Sequence, residues 1–263
     1  MDLGLADKIA LVTASSRGLG KAVALRLAQE GAHVALCARH VQDLTAAADE
    51  IRQATGRRVL ALAADVAERE AACTLVEATL ATFGHLDVLV TNAGGPPPGQ
   101  FLDLSVEDWE RAAQLTLMSA VRLCYAAAPV MKTQGAGAIL AMTSLTVKQP
   151  LPNLVLSNSL RLGVTGLIKT LADELGPFGI RVNALCPGWT RTARVDQLLE
   201  DRARRNNSTS EDEAAQIAAD IPLGRMGTPE EFAAAAAFLV SERASYINGV
   251  SLLVDGGMHR GVM

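Results

Sequence analysis

The sequence predicts an α/β fold: a single domain on a doubly wound parallel sheet of seven strands. Three observations predict it. Short apolar runs of strand type alternate with helical patterns along the whole chain. The runs are continuously apolar, as expected of strands covered on both faces. No repeat, low-complexity tract or Pro/Gly-rich linker divides the 263 residues, and 49% of them are hydrophobic, enough for one large core. Strict β-α alternation then implies right-handed crossovers and a parallel sheet.

Taken in order, KIALVT (8–13) reads as the first strand, and residues 18–30 have helical spacing that stops at Gly31. HVALCA (33–38) is the second strand and the Ala-rich 41–55 the second helix. RRVLALAAD (57–65) and LDVLVTNAGG (86–95) are strands three and four, separated by a helix over 68–83 that ends at Gly84. A long helix is expected over 106–134, followed by the strand GAILAMTS (137–144) and a helix over 155–175. IRVNALCPG (180–188) is the sixth strand, and VSLLVD (250–255), after a helix over 229–241, the seventh. The polar 193–220 reads as a helical excursion. Residues 1–263 are thus one domain with a lid-like segment at about 190–220, either a lid that orders on binding or a rigid helical insertion.

Composition excludes several classes. The net charge is −4, and the one dense basic run, Arg202–Arg205, sits among acids, so nucleic acid is not an expected partner. No apolar run nears 18 residues, so no membrane span is expected. The N-terminus MDLGLADKIALV carries acids where an export signal needs positive charge. Cys37, Cys73, Cys124 and Cys186 form neither a C-x-x-C pair nor a metal spacing, and read as reduced, buried thiols. These features lead to the expectation of a cytoplasmic chain with no metal site. The N-x-S/T matches at Asn206 and Asn207 carry no meaning there.

In such sheets ligands bind beyond the C-terminal strand ends. Those ends read TASSRGLG, CAR, NAGG, MTS and CPGWT. TASSRGLG (13–20) leaves the first strand and opens the first helix. Gly18 and Gly20 let backbone approach a pyrophosphate, and the helix N-terminus favours its charge. An acid at the end of strand two would bond the ribose 2′-hydroxyl of NAD, but Ala38-Arg39-His40 stands there. Arg39, joined by Arg17, suits a 2′-phosphate. NADP(H) is therefore the favoured cofactor. NAD(H) stays possible if Arg39 merely covers the adenine.

On these motifs the chain resembles the short-chain dehydrogenases/reductases along nearly its whole length, and in particular the 3-oxoacyl-acyl carrier protein reductase-like members. TASSRGLG is similar to their T-G-x-x-x-G-x-G loop, with Ala14 at the first glycine. Asp65-Val66 matches the pair beside the adenine, TNAG (91–94) the N-N-A-G turn, and CPGWTRT (186–192) the P-G-x-x-x-T segment. Residues 221–257 are close to the C-terminal signature. The resemblance implies a Rossmann-type sheet of order 3-2-1-4-5-6-7 and a homo-oligomer, often a tetramer. It places Thr13, Ser15, Ser16, Arg17, Gly18, Leu19 and Gly20, with Arg39, Asp65 and Val66, along the dinucleotide. Asn92, Ala93 and Gly94, then Arg161, Pro187, Gly188, Thr190 and Thr192, complete the cofactor set.

The implied chemistry is hydride transfer between nicotinamide and a small-molecule carbonyl or alcohol, using Ser, Tyr, Lys and Asn. The serine matches Ser144. The tyrosine position is held by Ser157, the lysine position by Arg161 and the asparagine position by Thr116. An aliphatic hydroxyl is a far weaker acid than a phenol of pKa about 10. Arginine keeps the charge but does not readily give up its proton. Tyr125, Tyr246, Lys148, the histidines and a water relay through Ser144, Ser157 and Arg161 are the remaining sources of a proton.

Two readings follow. One is an oxidoreductase with an atypical proton route, suited to a conjugated carbonyl. The other is a catalytically impaired dinucleotide-binding protein, a sensor or assembly subunit. Other chemistry on the same scaffold, such as a lyase or isomerase step, is a third. The substrate pocket is expected between 95–100, 145–155 and 190–220, with apolar walls from Pro96, Pro97, Pro98, Leu145, Val147, Leu151, Trp189 and Leu198.

Overall fold

The computed structural model describes residues 2–262. Seven strands form one sheet: β1 (Ile9–Val12), β2 (His33–Ala38), β3 (Val59–Ala63), β4 (Val88–Thr91), β5 (Gly137–Met142), β6 (Ile180–Pro187) and β7 (Ser251–Val254). Their order is β3-β2-β1-β4-β5-β6-β7 and every pairing is parallel. The order reverses between β1 and β4, where Leu11 is in register with Ala35 on one side and Leu89 on the other.

Because successive strand residues face opposite sides, the sheet feeds two cores. Val12, Leu36, Val90 and Leu140 pack with α1 (Gly18–Gln29), α2 (Val41–Thr55) and, much later in the chain, Phe232 and its neighbours. Leu11, Leu89, Ile139 and Val182 pack under α3 (Ala71–Phe83) and two further helices, described next. Only the edge strands β3 and β7 are substantially open to solvent.

The stretch expected as one helix over 106–134 is interrupted. It runs as α4 (Val106–Ala113), a wider π-type turn over Gln114–Met118, and α5 (Ser119–Gln134). Such turns open the i→i−4 ladder and occur often beside functional sites. Helix α3 begins three residues later than expected, because Asp65 accepts from the Ala67 amide at 3.0 Å and holds the chain in a turn first. Helix α6 (Val155–Leu175) lies where the spacing puts it.

The excursion after β6 is two helices, α7 (Ala193–Asn206) and α8 (Ser210–Asp220), ahead of α9 (Pro229–Val240). Leu199, Ile217, Ile221 and Met226, with Trp189 against them, form a small apolar cluster of their own. Glu213 on α8 is almost fully buried, yet satisfied by Ser208, Asn206 and Arg202 at 2.7, 2.7 and 2.9 Å. Of the four cysteines, Cys73 departs from expectation: it is exposed on α3, while the other three are buried. Among the described residues, no helix is long and apolar enough to cross a membrane.

Candidate active site

A cleft of about 460 Å³ runs across the C-terminal ends of the strands, over the point where their order reverses. Its two ends are built differently.

At the β1–α1 end the backbone makes the surface. Helix α1 starts without a side-chain cap and without an acid in its first turn. No side-chain cap therefore claims its first N–H groups, and the residues that carry them, Gly18, Leu19 and Gly20, line the cleft. Gly18 has φ +58°. A Cβ on Gly20 would stand 2.8 Å from Asn92 Nδ2 and nearer still to the Ala14 carbonyl oxygen. The loop thus closes only around a glycine, and it leaves room for an anion against bare amides. Asn92 Nδ2 donates to Ala14 O at 3.2 Å, so the β4 turn locks the loop. Thr13 and Ser15 are fully buried in this arrangement. Thr13 Oγ1 donates to Asn92 O at 2.7 Å and accepts from its N–H at 2.8 Å. Ser15 Oγ donates to Val12 O and accepts from the Cys37 N–H. On the rim, Arg39 lies 3.8 Å from Asp65 and is largely exposed.

At the β5–α6 end side chains make the surface. Ser144 follows β5 and caps a single 3₁₀ turn over Leu145–Val147, its oxygen accepting from Thr146 N at 3.2 Å. Ser157 and Arg161 lie one turn apart on α6. The Ser157 hydroxyl shares a 3.2 Å hydrogen bond with Thr146 Oγ1 and is nearly buried. Arg161 Nη1 donates to the carbonyls of Met142 and Thr143 at 3.2 and 3.0 Å, fastening α6 to the end of β5. Burial, and then the neighbouring Arg194 cation, push the Arg161 guanidinium down to about 10. It is still a cation near neutral pH.

Residues 13–259 match the family model described as enoyl-(acyl carrier protein) reductase. The rabbit (Oryctolagus cuniculus) dehydrogenase/reductase SDR family member 4 is 36% identical over 254 residues, 96% of this chain and 94% of that one. The L-rhamnose 1-dehydrogenase (NAD(P)(+)) of Sphingomonas sp. strain SKA58 is 36% identical over 256 residues, 97% of each. The crystal structure of L-sorbose reductase from Gluconobacter frateurii, complexed with NADPH and L-sorbose, superposes with a TM-score of 0.95 at 36% identity, covering 100% of both chains. The chain is a short-chain dehydrogenase/reductase.

The structure says where each expected residue falls. Ser16, Arg17, Gly18, Leu19 and Gly20 line the cleft, as do Arg39, Asp65, Val66, Asn92, Ala93 and Gly94. Ser144, Ser157, Arg161, Pro187, Gly188, Thr190 and Thr192 line it too. Thr13 and Ser15 do not. Their hydroxyls are spent on backbone groups behind the loop. Thr116 also lies outside the wall, in the wide turn beneath it, and its buried hydroxyl has no hydrogen-bond partner.

The short-chain dehydrogenase/reductase offers no phenol at this site. Tyr125 is 82% exposed on α5 and Tyr246 fully exposed before β7. Lys148 is an exposed loop residue outside the wall, and of the histidines only His40, at the Arg39 end, lines the cleft. The apolar wall is also smaller than expected: Pro96 and Leu198 contribute, whereas Leu145 is buried and Trp189 packs on the α7–α8 cluster. Leu115, Met142 and Leu154 supply apolar surface in their place.

Sequence reasoning missed Arg194. It stands two residues after Thr192, the N-cap of α7, and reaches across the cleft to donate from Nη2 to Pro96 O at 2.8 Å. Burial lowers its pKa as well. The signal was present in the string CPGWTRTARV, but motif matching stops at the threonine.

Proposed function

We propose that this short-chain dehydrogenase/reductase is an NADP(H)-preferring oxidoreductase acting on a carbonyl or alcohol substrate without a phenolic acid. The observation that carries it is the dinucleotide end of the cleft: an uncapped helix N-terminus behind a loop with no space for a Cβ at Gly20. Residues 14–20 and Asn92 would hold the pyrophosphate. Arg39 and Arg17 suit a 2′-phosphate, since a planar guanidinium meets its oxygens with two donors. NADPH-bound L-sorbose reductase and an NAD(P)-dependent L-rhamnose dehydrogenase among its relatives support a nicotinamide cofactor. When bound, that cofactor supplies or takes the hydride.

The chain's own residues would do the rest. Ser144 donates its hydroxyl to the carbonyl oxygen. Arg161, held by the carbonyls of Met142 and Thr143 at the end of β5, binds ribose hydroxyls and stabilises negative charge on that oxygen. Ser157, tied to Thr146, orders a water or the substrate and serves as no acid. Each unit of acid mismatch costs about 1.36 kcal/mol, so the site favours substrates that ask little of a proton donor. A conjugated carbonyl meets that condition, because hydride addition leaves an enolate, a weaker base than an alkoxide, which water can protonate. Apolar side chains left open along α5 and α6 (Tyr125, Leu162) and at the β7–α9 edge (Leu252, Phe238) support assembly of like chains into a dimer or tetramer.

The test is direct. NADPH and NADH are titrated against the pure protein by nicotinamide fluorescence. Saturated ketones, alcohols and conjugated carbonyls are then screened by absorbance. NADPH should bind at least about tenfold tighter than NADH, and conjugated carbonyls should turn over fastest. Tight binding with no turnover across the panel would replace this reading with that of a dinucleotide-binding protein without catalysis. That second reading draws its support from the missing phenol.

A further inference from the structure

The cleft is electrostatically lopsided. Its only acidic wall residue is Asp65, and Asp65 already faces Arg39 at the far end. The chemistry end carries Arg161 and Arg194: among the described residues neither takes part in any ion pair, and Asp201, the carboxylate whose charge Arg194 feels, lies on α7 outside the cleft wall.

A guanidinium has five N–H donors. Arg161 spends Nη1 on the carbonyls of Met142 and Thr143, and Arg194 spends Nη2 on the carbonyl of Pro96. Their other donors make no protein hydrogen bond, and none of them is sealed from solvent. Both side chains are anchored by neutral backbone oxygens, which fix the forks without neutralising them. Both guanidiniums line one cleft, and the Arg194 charge adds to burial in lowering the pKa of Arg161. An anion placed between them would relieve that repulsion.

We infer that Arg194 and Arg161 form a carboxylate-binding pair, so that the substrate of this enzyme is a carbonyl compound bearing a carboxylate near its reacting carbon. This deepens the function proposed above and rests on it. The other anion in such a cleft is the pyrophosphate of the dinucleotide. Contacts separate the two. Thr192 faces the glycine loop, where a Cβ on Gly18 would lie 3.8 Å from it. Arg194 faces away from that loop, toward the β4 turn: a Cβ on Gly95 would lie 3.1 Å from its Nε. Gln197, one turn of α7 further on, adds a neutral amide to the same wall. The carboxylate would therefore lie under α7, beside Ser144 and Ser157.

The probes are benzoylformate and its uncharged methyl ester, measured by calorimetry with and without saturating NADP⁺. Benzoylformate should bind at least about tenfold tighter than the ester. Arg194→Met should erase that difference while changing NADPH affinity less than about threefold. Arg194→Lys should keep part of it, since a point charge replaces a fork. Equal binding of acid and ester to the unaltered protein would overturn the inference, and needs no variant to fold. So would an Arg194→Met protein that loses NADPH as steeply as benzoylformate, which would assign Arg194 to the pyrophosphate. Failure of NADPH to bind at all would instead strike at the proposed function. The acid–ester comparison in nucleotide-free protein would still decide the carboxylate site.

Discussion

The two ends of one cleft follow different rules. The β1–α1 end is made of backbone: glycines, an uncapped helix and hydroxyls turned inward to lock loops. The β5–α6–α7 end is made of side chains: Ser144, Ser157, Arg161 and Arg194. Backbone surfaces tolerate little substitution, because what they need is the absence of a Cβ. Side-chain surfaces change their chemistry while the fold stays in place. The residues at 157 and 161 can thus change while the nucleotide cradle stays in place.

The sharpest break in this comparison is Gly20→Val. The added carbons meet the Ala14 carbonyl and Asn92 Nδ2 at distances no side chain accepts. Backbone must move, and the amides behind Gly18 lose their aim. NADPH affinity should fall at least about 100-fold, which is about 2.7 kcal/mol, with overpacking of about 1–3 kcal/mol on stability. Fluorescence titration and a thermal melt read both. A variant that still binds NADPH normally would remove the glycine loop from the phosphate site.

The same distinction explains what was legible in the sequence. Strand positions were, since a parallel sheet buried on both faces writes continuous apolar runs such as HVALCA and GAILAM. So were the glycine loop and the placing of residues 157 and 161 one turn apart on α6, because spacing along a helix is written in the sequence. The wide turn at 114–118 was not: nothing in QLTLM distinguishes it from ordinary helix, and only the orphaned Thr116 hydroxyl marks it. Thr13 and Ser15 sit in the motif yet face away from the cleft, a matter of rotamer and burial that no pattern records. Arg194 was invisible for the opposite reason: it joins the site through a 98-residue contact with Pro96, outside every motif.

A second prediction tests whether the side-chain end stands apart from the nucleotide end. Hydrogen bonds from Ser208, Asn206 and Arg202 hold the Glu213 carboxyl down to about 2, against an ordinary value of 4.5. A carboxylate with a depressed folded pKa contributes stability that is complete above about pH 4.5 and fades as pH falls from there toward 2. The α7–α8 pair should therefore open in acid before the sheet does. Glu213→Gln should open it at neutral pH, leaving Arg202 unpaired. Limited proteolysis should then cut within 193–220. NADPH affinity should stay within about threefold, while the ester-versus-acid discrimination is lost. Equal loss of NADPH would mean that the two ends are one mechanical unit.

The smallest effect is expected at the loop's one departure from the family pattern. Ala14 holds φ +48°, where the family has glycine. A left-handed non-glycine residue costs about 1–2 kcal/mol, and glycine's extra chain entropy takes back about 0.5–1 kcal/mol. Ala14→Gly should therefore raise stability by up to about 1 kcal/mol, or about 2–4 °C in melting temperature for a chain of this size. The substitution removes one methyl and leaves the Ala14 carbonyl, with its 3.2 Å bond from Asn92, in place. NADPH affinity should accordingly change by less than about twofold. A fall in melting temperature would mean that the alanine's strain is offset by contacts of its methyl. The nucleotide end would then owe part of its shape to a side chain after all.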